Sequence, residues 1–249
     1  MHEPHTPFHV DPKLQKRFAK LGEKDAIYAA TLFHADLRIG QLLDALDRLK
    51  ITNNTLVIFS SDNGPARGAP DAPLTLGYDS ATGLGYGIAA AKGITGGRKG
   101  YKAALFEGGV GVPFIARWPG KIEAGKVDKT SIFSAVDLLP TFCEIAGVQL
   151  PASYHPDGIS QVGTLKGKGT ARREKPLFWK TVAPWPARKT KPDHWVSYAV
   201  VSENWKLVAN RDAKHVELYD LVADPLEKSD LKAKHPAKVS QLRKMLVQW

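Results

Sequence analysis

The stretch TLVIFSSDNGP, residues 55–65, decides how the first half of this chain is expected to fold. Residues 55–60 form a short apolar run with β-branched members, which is typical of a strand buried on both faces. The run ends in polar residues, where Asp62 and Asn63 stand side by side before a Gly-Pro pair. In open α/β sheets, ligands bind beyond the carboxyl ends of the strands. The stretch therefore predicts a buried strand followed by a carboxylate and an amide at the edge of the sheet where ligands bind.

Asp62 and Asn63 are candidate ligands of a hard metal cation. Carboxylate and amide oxygens suit Ca²⁺ or Mg²⁺ better than they suit a soft metal. An Asp-Asn-Gly sequence is also common as a plain turn, and the dipeptide alone leaves both interpretations open. Because calcium takes about six to eight oxygen ligands, these residues would form only part of a calcium site.

The residues around this stretch predict an α/β sheet. Apolar residues recur at helical spacing within residues 24–50, and a second apolar run at residues 111–118 predicts another buried strand. Residues 134–146 suit a helix that Gly147 ends. Helix, tight turn and buried strand in succession are typical of an α/β sheet, and both runs are expected to be strands of the parallel type. The apolar positions of the first helix are Ile39, Leu42, Leu43, Leu46 and Leu49.

The composition changes twice more along the chain. Residues 64–100 are rich in glycine, alanine and proline, and a loop of this length is usually functional or disordered. After about residue 150 short strand candidates alternate with turns, and residues 236–249 carry a helical pattern. We therefore expect an incomplete large α/β domain at residues 1–150 and a small C-terminal domain with an antiparallel sheet and a terminal helix at residues 151–249. The strand candidates are residues 177–180, 195–201, 205–210 and 216–221.

Two further residues are candidates for chemistry on an anion. His5 lies between Pro4 and Pro7, which stiffen the backbone and would hold the imidazole ready for proton transfer or anion binding. Lys102 lies in the glycine-rich segment GYKAALFEGG, residues 100–109, where its ammonium group could clamp an anionic oxygen. A solvated surface histidine and lysine would account for each residue taken singly.

The composition bounds the class of protein and its partners. Of 249 residues, 43% are hydrophobic and 24% charged, which indicates a globular chain. The net charge of +10 favours anionic partners such as nucleic acid, acidic membrane surfaces or sulfated and phosphorylated molecules. No nucleic-acid-binding motif accompanies the charge, and no apolar run reaches the roughly 18 residues that span a bilayer. The single cysteine, Cys143, excludes an intrachain disulfide framework.

Taken together, the motifs resemble those of the formylglycine-dependent sulfatase family, including arylsulfatases and N-acetylgalactosamine-6-sulfatase-like members. The resemblance runs nearly from end to end, beginning with the proline-flanked His5 and the SDNG sequence after the first strand. A single string would be a weak signal, whereas several in the family's order are a strong one. The other matching strings are EGGV at 107–110, PFIARWPG at 113–120, VDLLPT at 136–141, ELYDL at 217–221 and DPLE at 224–227.

The resemblance implies an alkaline-phosphatase-like fold and a role for each candidate residue. Asp62 and Asn63 would be two of the calcium ligands. His5 would contact the sulfate or the leaving-group oxygen and would donate a proton to it. Lys102, five residues before Glu107 as in the family, would hold the sulfate, with Lys99 as a competing candidate. Family members are usually periplasmic, secreted or lysosomal, and this chain does not indicate its own location.

The chain departs from the family pattern at the nucleophile. The family makes formylglycine from the Cys or Ser of a Cys/Ser-x-Pro-x-Arg motif, which this sequence lacks. Cys143 is expected to pack in a helix, and Pro184 takes the nucleophile's place in PWPAR, residues 184–188. Gly111 also stands where the family usually has arginine. We therefore expect the C-terminal part of a sulfatase, without the N-terminal segment of the same domain, that is inactive alone and prone to aggregate.

The favoured function is hydrolysis of aryl or carbohydrate sulfate esters, with a sulfated polysaccharide as a possible substrate. One alternative is a truncated or inactive sulfatase-like module that binds sulfated glycans without turnover. The other is a phosphatase or phosphodiesterase of the same superfamily, whose sites generally use two transition metals. Against it, no histidines cluster with Asp62 in the sequence.

Overall fold

The computed structural model describes residues 3–79, 83–168, 173–181 and 195–249. Internal contacts divide the chain into two compact units, which are described separately. The first unit comprises Met1–Thr55 and Pro65–Ile94, and the second comprises Leu56–Gly64 and Thr95–Trp249. The division into domains at residues 1–150 and 151–249 stays a prediction.

The described residues combine helices with antiparallel sheets. The α-helices are α1 Pro12–Arg17, α2 Glu23–Arg48, α3 Glu107–Val110, α4 Leu138–Ala146, α5 Val162–Leu165 and α6 Pro236–Gln248, and single 3₁₀ turns lie at Ala19–Leu21, Thr52–Asn54, Ile88–Ala90 and Ala135–Asp137. The strands are β1 Val57–Ser60, β2 Leu76–Asp79, β3 Gly83–Tyr86, β4 Phe114–Arg117, β5 Leu177–Lys180, β6 Tyr198–Ser202, β7 Trp205–Ala209 and β8 Val216–Asp220. Within these residues no helix is both long and apolar enough to cross a bilayer.

The first unit is organised around α2. This helix confirms the prediction for residues 24–50 to within two residues at each end, and acidic Glu23 and Asp25 in its first turn complement the helix dipole. Its buried positions lie in its N-terminal half, where Ile27 packs with Phe8 and Ala90. The leucine positions farther along are less buried, and Leu42 and Leu49 are exposed.

The glycine-rich segment of the first unit contains a hairpin that the sequence did not predict. Strands β2 and β3 pair antiparallel, with Leu76 opposite Tyr86 and Gly77 opposite Gly85. The expectation of a continuous loop across residues 64–100 was therefore wrong. Glycine and leucine make up most of these two strands, which contain no β-branched residue. Their low β propensity explains why the sequence did not indicate a hairpin here.

Strands β1 and β4 of the second unit pair antiparallel, which corrects the expectation of parallel-type strands. Ser60, the last residue of β1, lies opposite Phe114, the first residue of β4, so the chain returns beside itself in the opposite direction. The neighbouring pair, Phe59 and Ile115, is 43% and 60% exposed. The expectation of burial on both faces is therefore wrong for this pair of strands.

The C-terminal sheet confirms the predicted antiparallel sheet with its terminal helix. Its strand order is β5-β6-β7-β8, every pair is antiparallel, and Glu203 in the β6–β7 turn has a positive φ of 56°. On one face, Leu242 and Leu246 of α6 pack on Val200, Leu207 and Leu218. On the other face, residues 104–106 pack on Ala199, Val208 and Tyr219. The sheet is therefore covered on one side by α6 and on the other by the segment just before α3.

Candidate functional site

The turn that carries Asp62 and Asn63 is tied to α3. The Ser61 hydroxyl donates to the carbonyl of Asn63 at 3.0 Å, and the N–H of Gly64 donates to the carbonyl of Gly109 at 2.8 Å. Asp62 is exposed and Asn63 is half-buried. Both side chains are therefore accessible at the end of β1, as the sequence predicted.

Close approaches between glycines hold three segments of the second unit together. A Cβ atom at Gly64 would overlap the carbonyl of Gly108, and one at Gly108 would overlap the carbonyl of Gly100. A Cβ atom at Gly109 would overlap the carbonyl of Ala104. Only glycine permits such contacts between backbones. The SDNG turn, the segment of residues 100–104 and α3 are consequently packed against one another.

Lys102 lies in a closed loop, residues 99–107, which we call the lysine loop. The N–H of Gly108 donates to the carbonyl of Lys99 at 2.7 Å, and the N–H of Ala104 donates to the carbonyl of Tyr101 at 2.9 Å. Lys102 is half-buried, and among the described residues its ammonium group has no hydrogen bond or ion pair. It therefore remains available to an anion.

Lys99, the competing candidate, is engaged with the C-terminal sheet. Its Nζ lies 2.7 Å from Oε2 of Glu217 and 2.9 Å from the hydroxyl of Tyr219. The same ammonium group lies 4.3 Å from the ring centroid of Phe106. A lysine that is paired and covered in this way is less available for a sulfate group than Lys102.

His5 lies in a loop of the first unit that an isolated β-bridge between Phe8 and Tyr86 holds in place. It is exposed, and its Nδ1 lies 2.6 Å from the carbonyl of Thr6. Farther along the loop, Phe8 is fully buried and exchanges two backbone hydrogen bonds with Tyr86, at 2.8 and 3.0 Å. Because His5 belongs to the other unit, its convergence with Asp62 and Lys102 stays a prediction.

The donor set at the end of β1 fits part of a calcium site. Asp62 offers a carboxylate and Asn63 an amide oxygen, and neither side chain hydrogen-bonds to another described residue. Hard cations prefer such oxygens. No group of three His, Cys, Asp or Glu side chains with metal-binding geometry occurs among residues 3–79, 83–168, 173–181 and 195–249. Asp62 and Asn63 would by themselves supply only two of the several ligands that calcium needs.

A buried ionic trio is the main feature that the sequence did not reveal. Nζ of Lys206 lies 2.8 Å from Oε1 of Glu107 and 2.9 Å from Oε1 of Glu227. The other carboxylate oxygen of Glu227 accepts the N–H of Glu107 at 2.6 Å. Glu107 and Glu227 both lie in motif strings of the sequence, but nothing in those strings indicated that Lys206 joins them.

Two other segments were compared with the nucleophile motif, around Cys143 and at residues 184–188, and the structure describes only the first. Cys143 lies on α4, where it is half-buried and unpaired with another cysteine. Residues 184–188 lie outside the described residues. Gly111, which stands where arginine was expected, lies against Glu107, since a Cβ there would approach both the backbone and the side chain of that residue.

Comparison with known families and structures covers the whole chain. The profile of the sulfatase family matches residues 1–148, and a profile described as N-sulphoglucosamine sulphohydrolase, C-terminal, matches residues 98–248. An N-acetylgalactosamine-6-O-sulfatase of Bacteroides thetaiotaomicron is 29% identical over 228 residues, which are 86% of this chain and 40% of that protein. A sulfatase of Formosa agariphila is 31% identical over 85% of this chain and 36% of its own length.

A solved structure from work on glycosaminoglycan metabolism by Bacteroides thetaiotaomicron has the same fold. It superposes with a TM-score of 0.73 and 26% identity, and the match covers 100% of this chain and 48% of that one. The α/β fold is therefore the alkaline-phosphatase-like fold of sulfatases, as the motifs predicted. The chain spans less than half the length of the relatives named here. The two profiles together cover nearly all of its residues, and the chain belongs to the sulfatase family.

Proposed function

We propose that this chain forms the cation-holding and sulfate-holding part of a sulfatase that hydrolyses carbohydrate sulfate esters. The observation that carries the proposal is the glycine packing that joins the SDNG turn to the lysine loop. Through this packing, the turn that carries the oxygen donors Asp62 and Asn63 contacts the loop that carries the ammonium group of Lys102, all within the second unit. The substrate class follows the N-acetylgalactosamine-6-O-sulfatase relative, and the chain's net charge of +10 suits a polyanionic carbohydrate.

The residues of the site would divide the chemistry between them. Lys102 would offset the negative charge of a sulfate oxygen, which stabilises the charge that develops during ester cleavage. His5 would donate a proton to the oxygen of the departing alcohol. Asp62 and Asn63 would hold Ca²⁺, which when bound supplies further charge stabilisation. The sequence contains no Cys/Ser-x-Pro-x-Arg motif, and the proposal therefore assigns the nucleophile to residues outside this sequence.

Binding of N-acetylgalactosamine 6-sulfate by the chain tests the proposal without requiring turnover. In an NMR titration, Ca²⁺ should tighten binding, and Lys102→Ala should weaken it by roughly tenfold, as expected for losing one charge-assisted hydrogen bond. Asp62→Ala should remove the effect of Ca²⁺. Exposed Lys121 provides the control, since Lys121→Ala should leave binding unchanged. Equal binding by Lys102→Ala, or a calcium effect that survives Asp62→Ala, would reject this assignment of the site.

Turnover distinguishes the remaining possibilities. We expect the isolated chain to release no sulfate from an aryl or sugar sulfate, because it contains no formylglycine motif. Sustained sulfate release by the purified chain would show a nucleophile among its own residues. Preference for a phosphate ester over the matching sulfate ester would favour the phosphatase alternative, and salt-sensitive binding without calcium dependence would favour a glycan-binding module.

A further inference from the structure

The lysine loop is attached at both of its ends to the C-terminal sheet and to the segment that follows β8. At the first end, the N–H of Lys99 donates to the carbonyl of Leu226 at 3.1 Å, and Nζ of Lys99 pairs with Glu217. At the second end, the N–H of Glu107 donates to Oε2 of Glu227 at 2.6 Å. The placement of Lys102 therefore depends on residues that lie more than a hundred positions farther along the chain.

The attachment at Glu107 depends on two fully buried charged side chains. The side chains of Lys206 and Glu227 are 0% exposed, and that of Glu107 is 21% exposed. Burial raises the pKa of the Glu227 carboxyl, while the charge of Lys206 and the N–H of Glu107 oppose that change. A buried charge that loses its partner is strongly unfavourable. The trio therefore holds Glu107 in one place relative to β7.

The attachment at Lys99 uses the same face of the sheet. Lys206 lies opposite Tyr219 in the register of β7 and β8, and Glu217 lies two residues before Tyr219. The hydroxyl of Tyr219 donates to Glu217 and accepts from Lys99. Burial, together with the hydrogen bond to Glu217, raises the pKa of Tyr219, so the phenol stays protonated. One sheet face thus holds both ends of the lysine loop.

We propose that Glu227 and Lys206 are positioning residues for Lys102, because they hold the end of the lysine loop in the arrangement that presents its ammonium group to a sulfate. This inference rests on the proposed role of Lys102. It assigns to the C-terminal sheet a part in anion binding rather than in stability alone. A purely structural trio would affect unfolding but would not act on anion affinity through Lys102.

A double-mutant cycle between Glu227→Gln and Lys102→Ala tests the inference on the full 249-residue chain. The probe is inorganic sulfate, titrated into isotope-labelled protein and followed by NMR. Lys102→Ala should weaken sulfate binding strongly. Glu227→Gln should weaken it by about 3- to 10-fold, within the range of coupling in one ion-pair network. In the Lys102→Ala background, Glu227→Gln should have no further effect.

A matched control and a second variant keep the result interpretable. Exposed Glu144 on α4 is the control, since Glu144→Gln removes the same charge away from the loop and should not change sulfate affinity. Circular dichroism establishes that each variant is folded. If Glu227→Gln does not fold, Tyr219→Phe replaces it in the same cycle, because it removes the hydroxyl that accepts a hydrogen bond from Lys99 at the other end of the loop. Equal weakening by the positioning variant, Glu227→Gln or its replacement, in both backgrounds would overturn the inference, as would no weakening in either.

Failure of the proposed function gives a different result. If Lys102→Ala leaves sulfate affinity unchanged, Lys102 is not the sulfate contact, and the proposed site is wrong. Whether Glu227 positions Lys102 is then tested by ¹³C-methylation of the lysines, which gives the Lys102 side chain its own NMR signal. The signal that disappears in Lys102→Arg is assigned to Lys102. A shift of that signal in Glu227→Gln, absent in Glu144→Gln, supports positioning, and an unchanged signal overturns it.

Discussion

Glycine at position 64 shows how a single missing side chain can organise a site. Its N–H donates to Gly109, and its Cα faces the carbonyl of Gly108 closely enough that a Cβ atom would overlap it. The residue follows directly on Asp62 and Asn63 in the chain. The position of the oxygen donors therefore depends on the absence of a methyl group beside them.

Gly64→Ala should destabilise the protein by about 1–3 kcal/mol, the usual cost of forcing an extra carbon into a packed region. The cause is overlap with backbone, which cannot rotate away as a side chain can. Gly40→Ala is the matched control, since Gly40 is exposed on α2 with nothing within 4 Å of its Cβ position. That control should stabilise by roughly 0.5–1 kcal/mol. Urea unfolding of both variants measures the difference, and equal effects would disprove the overlap.

The beginning of α4 shows how one buried acid can connect several segments of the chain. Asp137 accepts the N–H of Ser134 in a capping box, at 2.9 Å, and also accepts the N–H of Ile159 at 2.9 Å. It forms an ion pair with Arg173, and both side chains are buried. Asp137 thereby connects the 3₁₀ turn that precedes α4 to the segment around residue 159.

Asp137→Asn should cost roughly 3–5 kcal/mol, because it leaves the Arg173 charge buried without a carboxylate partner. Adding Arg173→Met should recover part of this loss, since the unpaired charge is then removed. Exposed Asp44 on α2 is the control, and Asp44→Asn should change stability by less than about 0.5 kcal/mol. Chemical denaturation of the single and double variants measures the effect. A double variant less stable than Asp137→Asn would contradict this account of the pair.

At the scale of the whole molecule, apolar surface remains exposed where β1 and β4 pair. Phe59 and Ile115 lie opposite each other and are 43% and 60% exposed. Two-stranded sheets are marginally stable alone, and unpaired strand edges promote association. The relatives named above are more than twice as long as this chain, so their folds contain further segments that could cover such a surface.

Replacing Phe59 and Ile115 together by threonine should raise the concentration at which the chain aggregates, with little change in its melting temperature. Threonine keeps a high strand propensity while removing exposed apolar area. Val208→Thr is the control at a fully buried strand position, where an unpaired hydroxyl should cost about 1–3 kcal/mol. Light scattering and thermal unfolding measure the outcomes. Unchanged aggregation of the double variant would show that another surface drives it.

The sequence predicted the C-terminal sheet well and the first half of the fold less well. Strands β5 to β8 are rich in β-branched and aromatic residues and are separated by turns, so their pattern is local and readable. The direction of β4 relative to β1 is set by pairing between distant residues, and an apolar run carries no sign of it. The β2–β3 hairpin was missed because its glycines have low strand propensity.

The candidate site divides in the same way between local and distant interactions. Asp62, Asn63 and Lys102 are accessible where the motifs predicted them, while their roles and that of His5 stay predictions. The trio of Glu107, Lys206 and Glu227 could not be predicted because Glu107 lies 99 and 120 positions before the other two residues. Contacts between residues so far apart produce no periodic pattern in the sequence, and lysine and glutamate are most often solvated surface residues.

The packing of residues 104–106 onto the C-terminal sheet has a consequence for protein engineering. Phe106 is fully buried against that sheet, so a crossover point near residue 150 would separate it from its packing partners in any chimera of two related enzymes. If residues 95–249 are exchanged as one block, Phe106 and the sheet residues that it packs against come from the same parent enzyme. Libraries joined just before residue 95 should therefore yield more soluble hybrids than libraries joined near residue 150.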